Sequence, residues 1–321
     1  MAIQGIQGSS VLITGGTGFI GTAVAEQLLA GGAAKIVLLD NKRRNAGKYA
    51  NLTGPAVQLT EGSILDRDVI MKAMRDCDFV LHLAAIAGVD SVALRPTETM
   101  EVNLLGTRIL MDVARELKPR RVICFSTSEV YGPYVYRGNE QSMTTQGPVG
   151  VFRWAYAVSK LAAEHWAHSY GLDYELDVVT IRPFNIYGPR QVGEGAVRKF
   201  VIAAIKGEPL RINGDGTQIR SWCYIDDMAE GTIRALFAEG ARGKAFNIGN
   251  PRSTFTTYGL AEKIVSMSSS SSPIVSVPAL AADVEIRVPS IDSARSILGY
   301  EPAISMDEGL RRTIAWYREH I

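Results

Sequence analysis

The sequence has few of the residues that hold metal ions or disulfide bridges. Its 321 residues include three cysteines, which lie far apart and in no CxxC spacing. An odd, sparse set of cysteines is typical of a reducing compartment and argues against a disulfide framework or a zinc site. The four histidines are scattered too, and although His165 and His168 lie three apart, no third ligand stands near them in the sequence. We therefore predict no metal site.

An excess of charge of one sign and long hydrophobic runs are lacking as well. The formal net charge is +1, and no basic run extends beyond positions 42–44, so nothing favours nucleic acid or an anionic membrane as a partner. No apolar run approaches the roughly 18 residues needed to span a bilayer, and we recognise no signal peptide at the N-terminus. These absences favour a cytoplasmic protein that acts on a small molecule.

Strand-like and helix-like segments alternate over the first half of the chain. Short apolar or β-branched runs predict strands, and the segments between them predict helices. The predicted strands are 10–14, 35–40, 56–60, 78–82, 121–125 and 176–181, and the predicted helices are 19–30, 66–75, 96–118 and 152–170. This alternation predicts an α/β fold with a doubly wound parallel Rossmann sheet, whose ligands bind at the carboxyl ends of the strands.

A glycine-rich loop follows the first predicted strand. In VLITGGTGFIGTAVAEQLL, the residues Gly15, Gly18 and Gly21 stand between that strand and the first helix. Glycines let the backbone turn tightly and approach a pyrophosphate, whose charge then meets the helix N-terminus. The pattern alone is weak, but its place at the start of a strand–helix–strand unit indicates a dinucleotide site.

Asp40 at the end of the second strand identifies the dinucleotide. A carboxylate there accepts hydrogen bonds from the adenosine ribose and repels a 2′-phosphate, which favours NAD over NADP. Arg43 and Arg44 follow closely in the sequence and are the residues that would suit NADP.

A tyrosine and a lysine lie four residues apart on the helix predicted at 152–170. Tyr156 and Lys160, in YAVSK, therefore share one helix face. A phenol has a pKa near 10, and a neighbouring ammonium group stabilises its anion, so the pair can act as a general base. This spacing is common by chance, and it indicates a catalytic pair only together with the other motifs of the chain.

Taken together, GGTGFIG, Asp40, HLAA at 82–85, STSEVYG at 126–132, YAVSK and RPFNIYGPR at 182–190 resemble the extended short-chain dehydrogenase/reductase family. More narrowly they resemble its nucleotide-sugar epimerases, dehydratases and decarboxylases. The resemblance covers nearly the whole chain and implies bound NAD, a UDP-sugar substrate and transient oxidation of the sugar at carbon 4. It also implies a homodimer through a four-helix bundle built from 96–118 and 152–170.

The resemblance assigns roles to individual residues and domains. It implies a NAD-binding Rossmann domain of residues 1–182 and 219–250, and a smaller C-terminal α/β substrate domain of 183–218 and 251–321. The implied cofactor contacts are Gly15, Gly18, Phe19, Ile20, Gly21, Asp40, Asn41, Ser63, Ile64, Leu83, Ala84, Ala85, Asn103, Ser126, Tyr156, Lys160 and Arg182. The implied substrate contacts are Asn185, Arg190, Val197, Lys199, Ile212, Asn213, Arg220 and Arg287.

The segment STSEVYG bears on the reaction. The resemblance implies catalytic roles for Thr127, Ser128 and Glu129 beside Tyr156 and Lys160. The similar 4,6-dehydratases have Thr-Asp-Glu here, so Ser128 replaces their acid, while Thr-Ser-Glu is the pattern of UDP-glucuronate decarboxylases. The chain as a whole resembles UDP-N-acetylglucosamine 5,6-dehydratases of tunicamycin biosynthesis, in which Glu129 would remove a proton from carbon 5.

We therefore expect 5,6-dehydration of UDP-N-acetylglucosamine first. UDP-glucuronate decarboxylation is the main alternative, and 4-epimerisation a further one. A non-catalytic NAD-binding regulator is a remote alternative, because Thr127, Tyr156 and Lys160 are all present.

Overall fold

The computed structural model describes residues 3–43, 52, 54–279 and 282–321. Its strands in chain order are β1 (Ser10–Thr14), β2 (Lys35–Asp40), β3 (Val57–Glu61), β4 (Phe79–His82), β5 (Arg121–Phe125), β6 (Tyr134–Gly138), β7 (Val178–Pro183), β8 (Ile186–Tyr187), β9 (Leu210–Asn213), β10 (Ile219–Ser221), β11 (Cys223–Tyr224), β12 (Ala245–Ile248), β13 (Thr254–Thr256), β14 (Ile274–Val277) and β15 (Ile286–Pro289).

The helices are α1 (Phe19–Ala30), α2 (Arg67–Met74), α3 (Val89–Leu94), α4 (Pro96–Met100), α5 (Gly106–Leu117), α6 (Phe152–Tyr174), α7 (Ala196–Lys206), α8 (Ile225–Phe237), α9 (Thr257–Met267) and α10 (Met306–His320). Within the described residues there are also two π-helical segments, Glu101–Leu105 and Ala294–Leu298, and two 3₁₀ turns, Ser128–Tyr131 and Glu239–Ala241.

Seven strands form one parallel sheet in the order β12-β7-β5-β4-β1-β2-β3. The chain moves outward from β1 in one direction through β2 and β3, and in the other through β4, β5, β7 and β12. The carboxyl ends of β1 and β4 therefore meet at the point where the strand order reverses, which is where such sheets bind ligands. The prediction of a parallel Rossmann sheet is confirmed.

The apolar residues of the central strands explain why the sheet is buried on both faces. In β1, Val11 and Ile13 pack into one core with α1 and α8, whereas Leu12 packs into a second core with α2 and α5. A strand covered on both sides reads as a continuous apolar run, which is how these strands were predicted. Among the described residues, no helix is both long enough and apolar enough to cross a membrane.

The predicted helix at 96–118 is interrupted. It consists of α4, the π-helical segment Glu101–Leu105 and α5, and it ends at Lys118 in a left-handed conformation with φ 50°. The helix predicted at 152–170 continues four residues further, to Tyr174, and ends at Glu175 with φ 57°. Single π turns in helices occur at functional sites, and this one carries Asn103.

A smaller sheet has the strand order β13-β10-β15-β6. The sequence patterns predict none of these four strands, because the strands are only three to five residues long and β15 ends in a proline. β10 pairs with β15 in parallel, which places Arg220 directly beside Arg287. This register brings together two arginines that are far apart in the sequence.

Candidate active site

A cavity of about 310 Å³ lies at the carboxyl ends of the central strands. All but two of the predicted cofactor contacts line it: Gly15, Gly18, Phe19, Ile20, Gly21, Asp40, Asn41, Ser63, Ile64, Leu83, Ala84, Ala85, Ser126, Tyr156 and Lys160. The cavity is also lined by residues that were not predicted, among them Arg95 and Val192. Val192 follows β8 in a loop, and no local pattern in the sequence points to it.

The glycine loop leaves the space that a pyrophosphate needs. Gly15 has φ +69°, and a Cβ added to it would lie 2.9 Å from the backbone nitrogen of Ala84. A Cβ added to Gly21 would lie 2.5 Å from the carbonyl oxygen of Gly15. Side chains at either position would force the backbone apart, so these glycines are required by the close packing of loop, helix and sheet. Thr17 Oγ1 is buried there without a hydrogen-bond partner among the described residues. The loop therefore fits a dinucleotide.

The carboxylate of Asp40 is oriented by two backbone N–H groups. Thr17 N donates to it at 3.1 Å and Lys42 N at 2.7 Å, which holds the side chain at the edge of the cavity. Two nearby cations are already paired, Lys42 with Glu61 at 2.6 Å and Arg43 with Glu98. Arg44, which was also suggested by the sequence as a contact for a 2′-phosphate of NADP, lies outside the described residues.

A buried hydrogen-bond network supports the cofactor cavity. Thr107 Oγ1 donates to the Asn103 carbonyl at 2.7 Å, so it accepts the proton of His82 Nε2 at 3.0 Å. Nδ1 of His82 then accepts from Thr14 Oγ1 at 2.8 Å, and that oxygen accepts the N–H of Ala84 at 3.2 Å. Burial, with a contribution from the Lys160 charge, lowers the pKa of His82 to about 3, so the imidazole is neutral.

Asn103 does not line the cavity itself but supports a residue that does. Its side chain bonds both the N–H and the carbonyl of Ile86, at 2.8 and 3.0 Å, and also Ser159 Oγ at 3.0 Å. Ile86 lines the cavity, and Ser159 lies on α6 between Tyr156 and Lys160. The structure thus places Asn103 where it joins the cofactor loop to the helix that carries the predicted base.

Arg182 is not where the sequence predicted it. Its guanidinium bonds Glu164 at 2.7 and 3.0 Å and the Tyr131 hydroxyl at 2.8 Å, and it lines a separate cleft of about 1220 Å³. Successive residues of a strand point to opposite faces, and it is Pro183, the next residue, that lines the cofactor cavity. The structure therefore places Arg182 outside the cofactor cavity, contrary to the prediction.

Tyr156 and Lys160 lie one turn apart on α6 and both face the cofactor cavity. Lys160 is 3% exposed, and burial lowers its pKa to about 8. A lysine with this pKa remains mostly protonated at pH 7, which is the state that stabilises a nearby phenolate. Burial also raises the pKa of the neighbouring Cys124 thiol to about 12, so this cysteine is not an acid at neutral pH.

The segment STSEVYG lies directly after β5, at the floor of the site. Thr127 caps the short turn Ser128–Tyr131 by accepting the N–H of Glu129 at 3.2 Å. Ser126 Oγ is buried and has no hydrogen-bond partner within the described ranges, although Ser126 lines the cofactor cavity. Ser128 is also buried. Thr127, Ser128 and Glu129 are not among the residues that line the cavity, so within this segment it is the unpartnered Ser126 hydroxyl that is placed to meet a ligand there.

Glu129 is held by two arginines. Arg153 donates two hydrogen bonds to its carboxylate, at 2.8 and 3.1 Å, and Arg287 donates one at 2.5 Å. Although burial alone would raise the pKa of Glu129, the charges of Arg287 and Arg153 lower it to about 2. The carboxylate is therefore ionised at neutral pH and is a weak proton acceptor.

The arginines extend into a larger ionic cluster. We call Arg153, Arg220, Arg287, Glu129 and Asp283 the arginine cluster. Asp283 accepts from Arg220 at 2.7 Å and lies 3.5 Å from Arg153. Arg287 is 1% exposed, and its Nε finds no hydrogen-bond partner in the part of the chain that the structure describes. Sequence reasoning missed Arg153 and Asp283; the one local signal for Arg153 is its position three residues before Tyr156.

The other predicted substrate contacts are more dispersed. Asn185 has φ 42° and donates to the Ser221 carbonyl at 2.8 Å, while Arg190 forms a two-bond pair with Glu26 at 2.5 and 2.6 Å. Lys199 is exposed and lies 3.7 Å from Asp90. The structure places three further predicted contacts in or beside the core: Val197, Ile212 and Asn213. Only Arg220 and Arg287 are brought directly together. Among the described residues, no cluster of potential metal ligands occurs.

Comparison with known proteins places this site in a family. Residues 11–249 match the model of the NAD dependent epimerase/dehydratase family. A UDP-N-acetyl-alpha-D-glucosaminuronate decarboxylase of Bacillus cytotoxicus is 35% identical over 318 residues, covering 96% of this chain and 97% of the relative. UDP-glucuronic acid decarboxylase 3 of Arabidopsis thaliana is 33% identical over 307 residues, covering 94% and 86%.

Solved structures support the same family assignment. The UDP-glucuronic acid 4-epimerase of Bacillus cereus, in complex with UDP-glucuronic acid and NAD, superposes with a TM-score of 0.89 at 28% identity, covering 97% of this chain and all of that one. The predictions of family and of NAD as the cofactor are thereby confirmed. The chain belongs to the NAD-dependent epimerase/dehydratase family.

Proposed function

We propose that the protein is a NAD-dependent decarboxylase of a UDP-hexuronate, such as UDP-glucuronate or its 2-acetamido analogue. The observation that carries the proposal is the pairing of Glu129 with Arg153 and Arg287. The decarboxylases among the relatives support it, as does the sequence Thr127-Ser128-Glu129. This is the alternative of the sequence analysis, and it now replaces 5,6-dehydration as the leading hypothesis.

The state of Glu129 is the reason for the change. Elimination of water needs a group that accepts the proton of carbon 5, and a general base works best when its pKa is near the working pH. Glu129, with a pKa of about 2, is a poor candidate. Decarboxylation needs no such base, because carbon dioxide rather than a proton leaves from carbon 5. Arginine pairs are, in addition, suited to recognising a carboxylate on the substrate.

The residues of the cavity support the following chemistry. When bound, NAD supplies a hydride acceptor for carbon 4 and later returns the hydride. Tyr156 takes the proton of the carbon 4 hydroxyl, and Thr127 forms a hydrogen bond with the same hydroxyl. The positive charge of Lys160 lowers the free energy of forming the Tyr156 phenolate. With a ketone at carbon 4 the substrate is a β-keto acid, so the bond to the carboxylate breaks and its electrons form an enolate. Water would supply a proton to carbon 5, and Tyr156 would give its proton back to the carbon 4 oxygen as the hydride returns to carbon 4, which would yield the pentose product.

The arginine cluster holds the substrate in this scheme. We assign the diphosphate of the substrate to Arg220 and its sugar carboxylate to the region of Arg153 and Arg287. The Nε of Arg287, which has no hydrogen-bond partner among the described residues, supplies a donor there. Residues 183–218 and 251–321 would then surround the uridine and the sugar, as the domain prediction has it. The homodimer through 96–118 and 152–170 remains a prediction.

The proposal is tested by offering three substrates to the purified protein with NAD. UDP-glucuronate, its 2-acetamido analogue and UDP-N-acetylglucosamine are incubated separately, and products are identified by mass spectrometry and NMR. We expect one of the uronates to lose carbon dioxide while UDP-N-acetylglucosamine stays unchanged. Loss of water from UDP-N-acetylglucosamine would restore the 5,6-dehydratase, and a product of unchanged mass but inverted carbon 4 would identify a 4-epimerase.

A further inference from the structure

Asp283 is an acidic residue inside a site that is otherwise suited to anions. Its Oδ1 accepts from Arg220 Nη2 at 2.7 Å and lies 3.5 Å from Arg153 Nη1. The same oxygen accepts the N–H of Val284 at 2.7 Å, which fixes its direction. The side chain is 20% exposed, and those of the two arginines are 15% and 11% exposed. Nothing in the chemistry above uses this carboxylate.

The charges of the arginine cluster do not cancel. Three guanidinium groups face two carboxylates, which leaves one positive charge in a largely buried volume. Arg220 and Arg287 are neighbours in the β10–β15 register, so their like charges lie side by side. Burial lowers the pKa of both, and repulsion from the other arginines of the cluster contributes to that shift. Removing either carboxylate without replacement would leave buried positive charge uncompensated.

The two carboxylates are held with different strength. Glu129 receives three hydrogen bonds from two arginines. Asp283 receives one hydrogen bond from a guanidinium and has one longer ion pair. A diphosphate offers the same kind of charged acceptor to Arg220, with more oxygens and more charge. An incoming diphosphate therefore competes with Asp283 more readily than with Glu129.

We propose that Asp283 is a resident counter-ion of Arg220 and Arg153, and that the diphosphate of the nucleotide takes its place on Arg220. Asp283 then stabilises the cluster when no nucleotide is bound and weakens nucleotide binding by competition. It is a positioning residue that sets affinity, with no part in the reaction. The inference rests on the proposed function in taking a uridine diphosphate as the ligand.

The test is the affinity for UDP, measured by titration calorimetry on the parent protein and on Asp283→Asn. Removing the competing carboxylate should tighten UDP binding roughly three- to fivefold, which corresponds to at most about 1 kcal/mol. Asp283→Glu keeps the charge and should bind UDP as the parent does. The matched control is Glu285→Gln, the same change of charge two residues away on an exposed side chain that makes no ion pair with the described residues.

A second readout separates competition from a purely structural role. The melting temperature of Asp283→Asn without ligand should fall, whereas the rise in melting temperature on adding UDP should exceed that of the parent. Unchanged or weaker binding of UDP would overturn the inference, because a structural defect does not tighten binding. If Asp283→Asn does not fold, Asp283→Ser replaces it, and failure of both to fold would also overturn the inference.

The outcomes distinguish this inference from the proposed function. If the parent neither binds UDP nor acts on any UDP-uronate, the inference about Asp283 and the proposed function are both wrong. If the parent decarboxylates a uronate but Asp283→Asn does not bind UDP more tightly, the inference alone fails. If Asp283→Asn binds UDP more tightly and no uronate loses carbon dioxide, the proposed reaction alone is wrong.

Discussion

Replacing Glu129 with glutamine tests whether this carboxylate is a permanent counter-ion of Arg153 and Arg287. The pKa of Glu129 in the folded protein is about 2, against an ordinary value of 4.5. A difference of this size corresponds to about 3 kcal/mol of folding free energy at pH 7. Breaking a buried pair by removing one partner costs about 3 to 5 kcal/mol, which is consistent with that figure. We expect Glu129→Gln to lose about 3 kcal/mol of stability at neutral pH.

The pH dependence has a definite sign. Because the folded pKa is depressed, the contribution of Glu129 is fully present above the unfolded pKa of about 4.5 and is lost as pH falls through about 2. The difference in unfolding free energy between the parent and Glu129→Gln should therefore shrink to about 1 kcal/mol at pH 3. Other titrating groups are common to both proteins and largely cancel in the difference.

The assay is urea unfolding followed by tryptophan fluorescence at pH 7, 5, 4 and 3. Glu285→Gln serves as the control, because it removes one exposed negative charge and should stay within about 0.5 kcal/mol of the parent. A Glu129→Gln variant as stable as the parent at pH 7 would refute the reasoning. So would a difference that is the same at pH 3 as at pH 7, since that would mean the carboxylate is not ionised in the cluster.

Three further predictions concern the cofactor and the chemistry. Tyr156→Phe removes the base, so turnover should fall at least about a hundredfold while NAD binding, measured by calorimetry, is retained; near-normal turnover would exclude the role. Asp40→Asn should weaken NAD binding and narrow its preference over NADP in the same titrations, and an unchanged preference would contradict the ribose contact. Gly15→Ala meets the backbone of Ala84 at φ +69°, so it should lower both the melting temperature and NAD affinity, whereas the exposed Gly207→Ala, with open space around its Cβ, should leave NAD affinity unchanged.

The sequence predicts those parts of the site that are encoded locally. The glycine loop, Asp40 and the pair Tyr156 and Lys160 each depend on spacing within one strand–helix unit, and all line the cavity as predicted. The parallel sheet follows from the alternation of apolar strands and helices, so its strand boundaries are predicted to within two residues. Local patterns are enough where the geometry is fixed by a single turn or helix.

The parts that the sequence missed depend on contacts between distant segments. Arg153 reads as an ordinary residue of a helix surface, yet its partner Glu129 lies 24 positions earlier. Asp283 precedes a four-residue strand that pairs with β10, and no pattern in either segment predicts that pairing. The prediction for Arg182 is wrong for a local reason. The motif identifies the right strand end, but it does not show to which face of the sheet the side chain points.

The choice between dehydration and decarboxylation depends on these distant contacts. A glutamate after Ser128 is compatible with both reactions, because the same carboxylate is a base when it is free and a counter-ion when guanidinium groups saturate it. In this chain Arg153 and Arg287 together donate three hydrogen bonds to it, which favours the second role. A motif that names Glu129 therefore cannot specify the reaction by itself. Under the proposed function the arginines around the motif determine its chemistry, and they lie on α6 and β15, which the fold brings together.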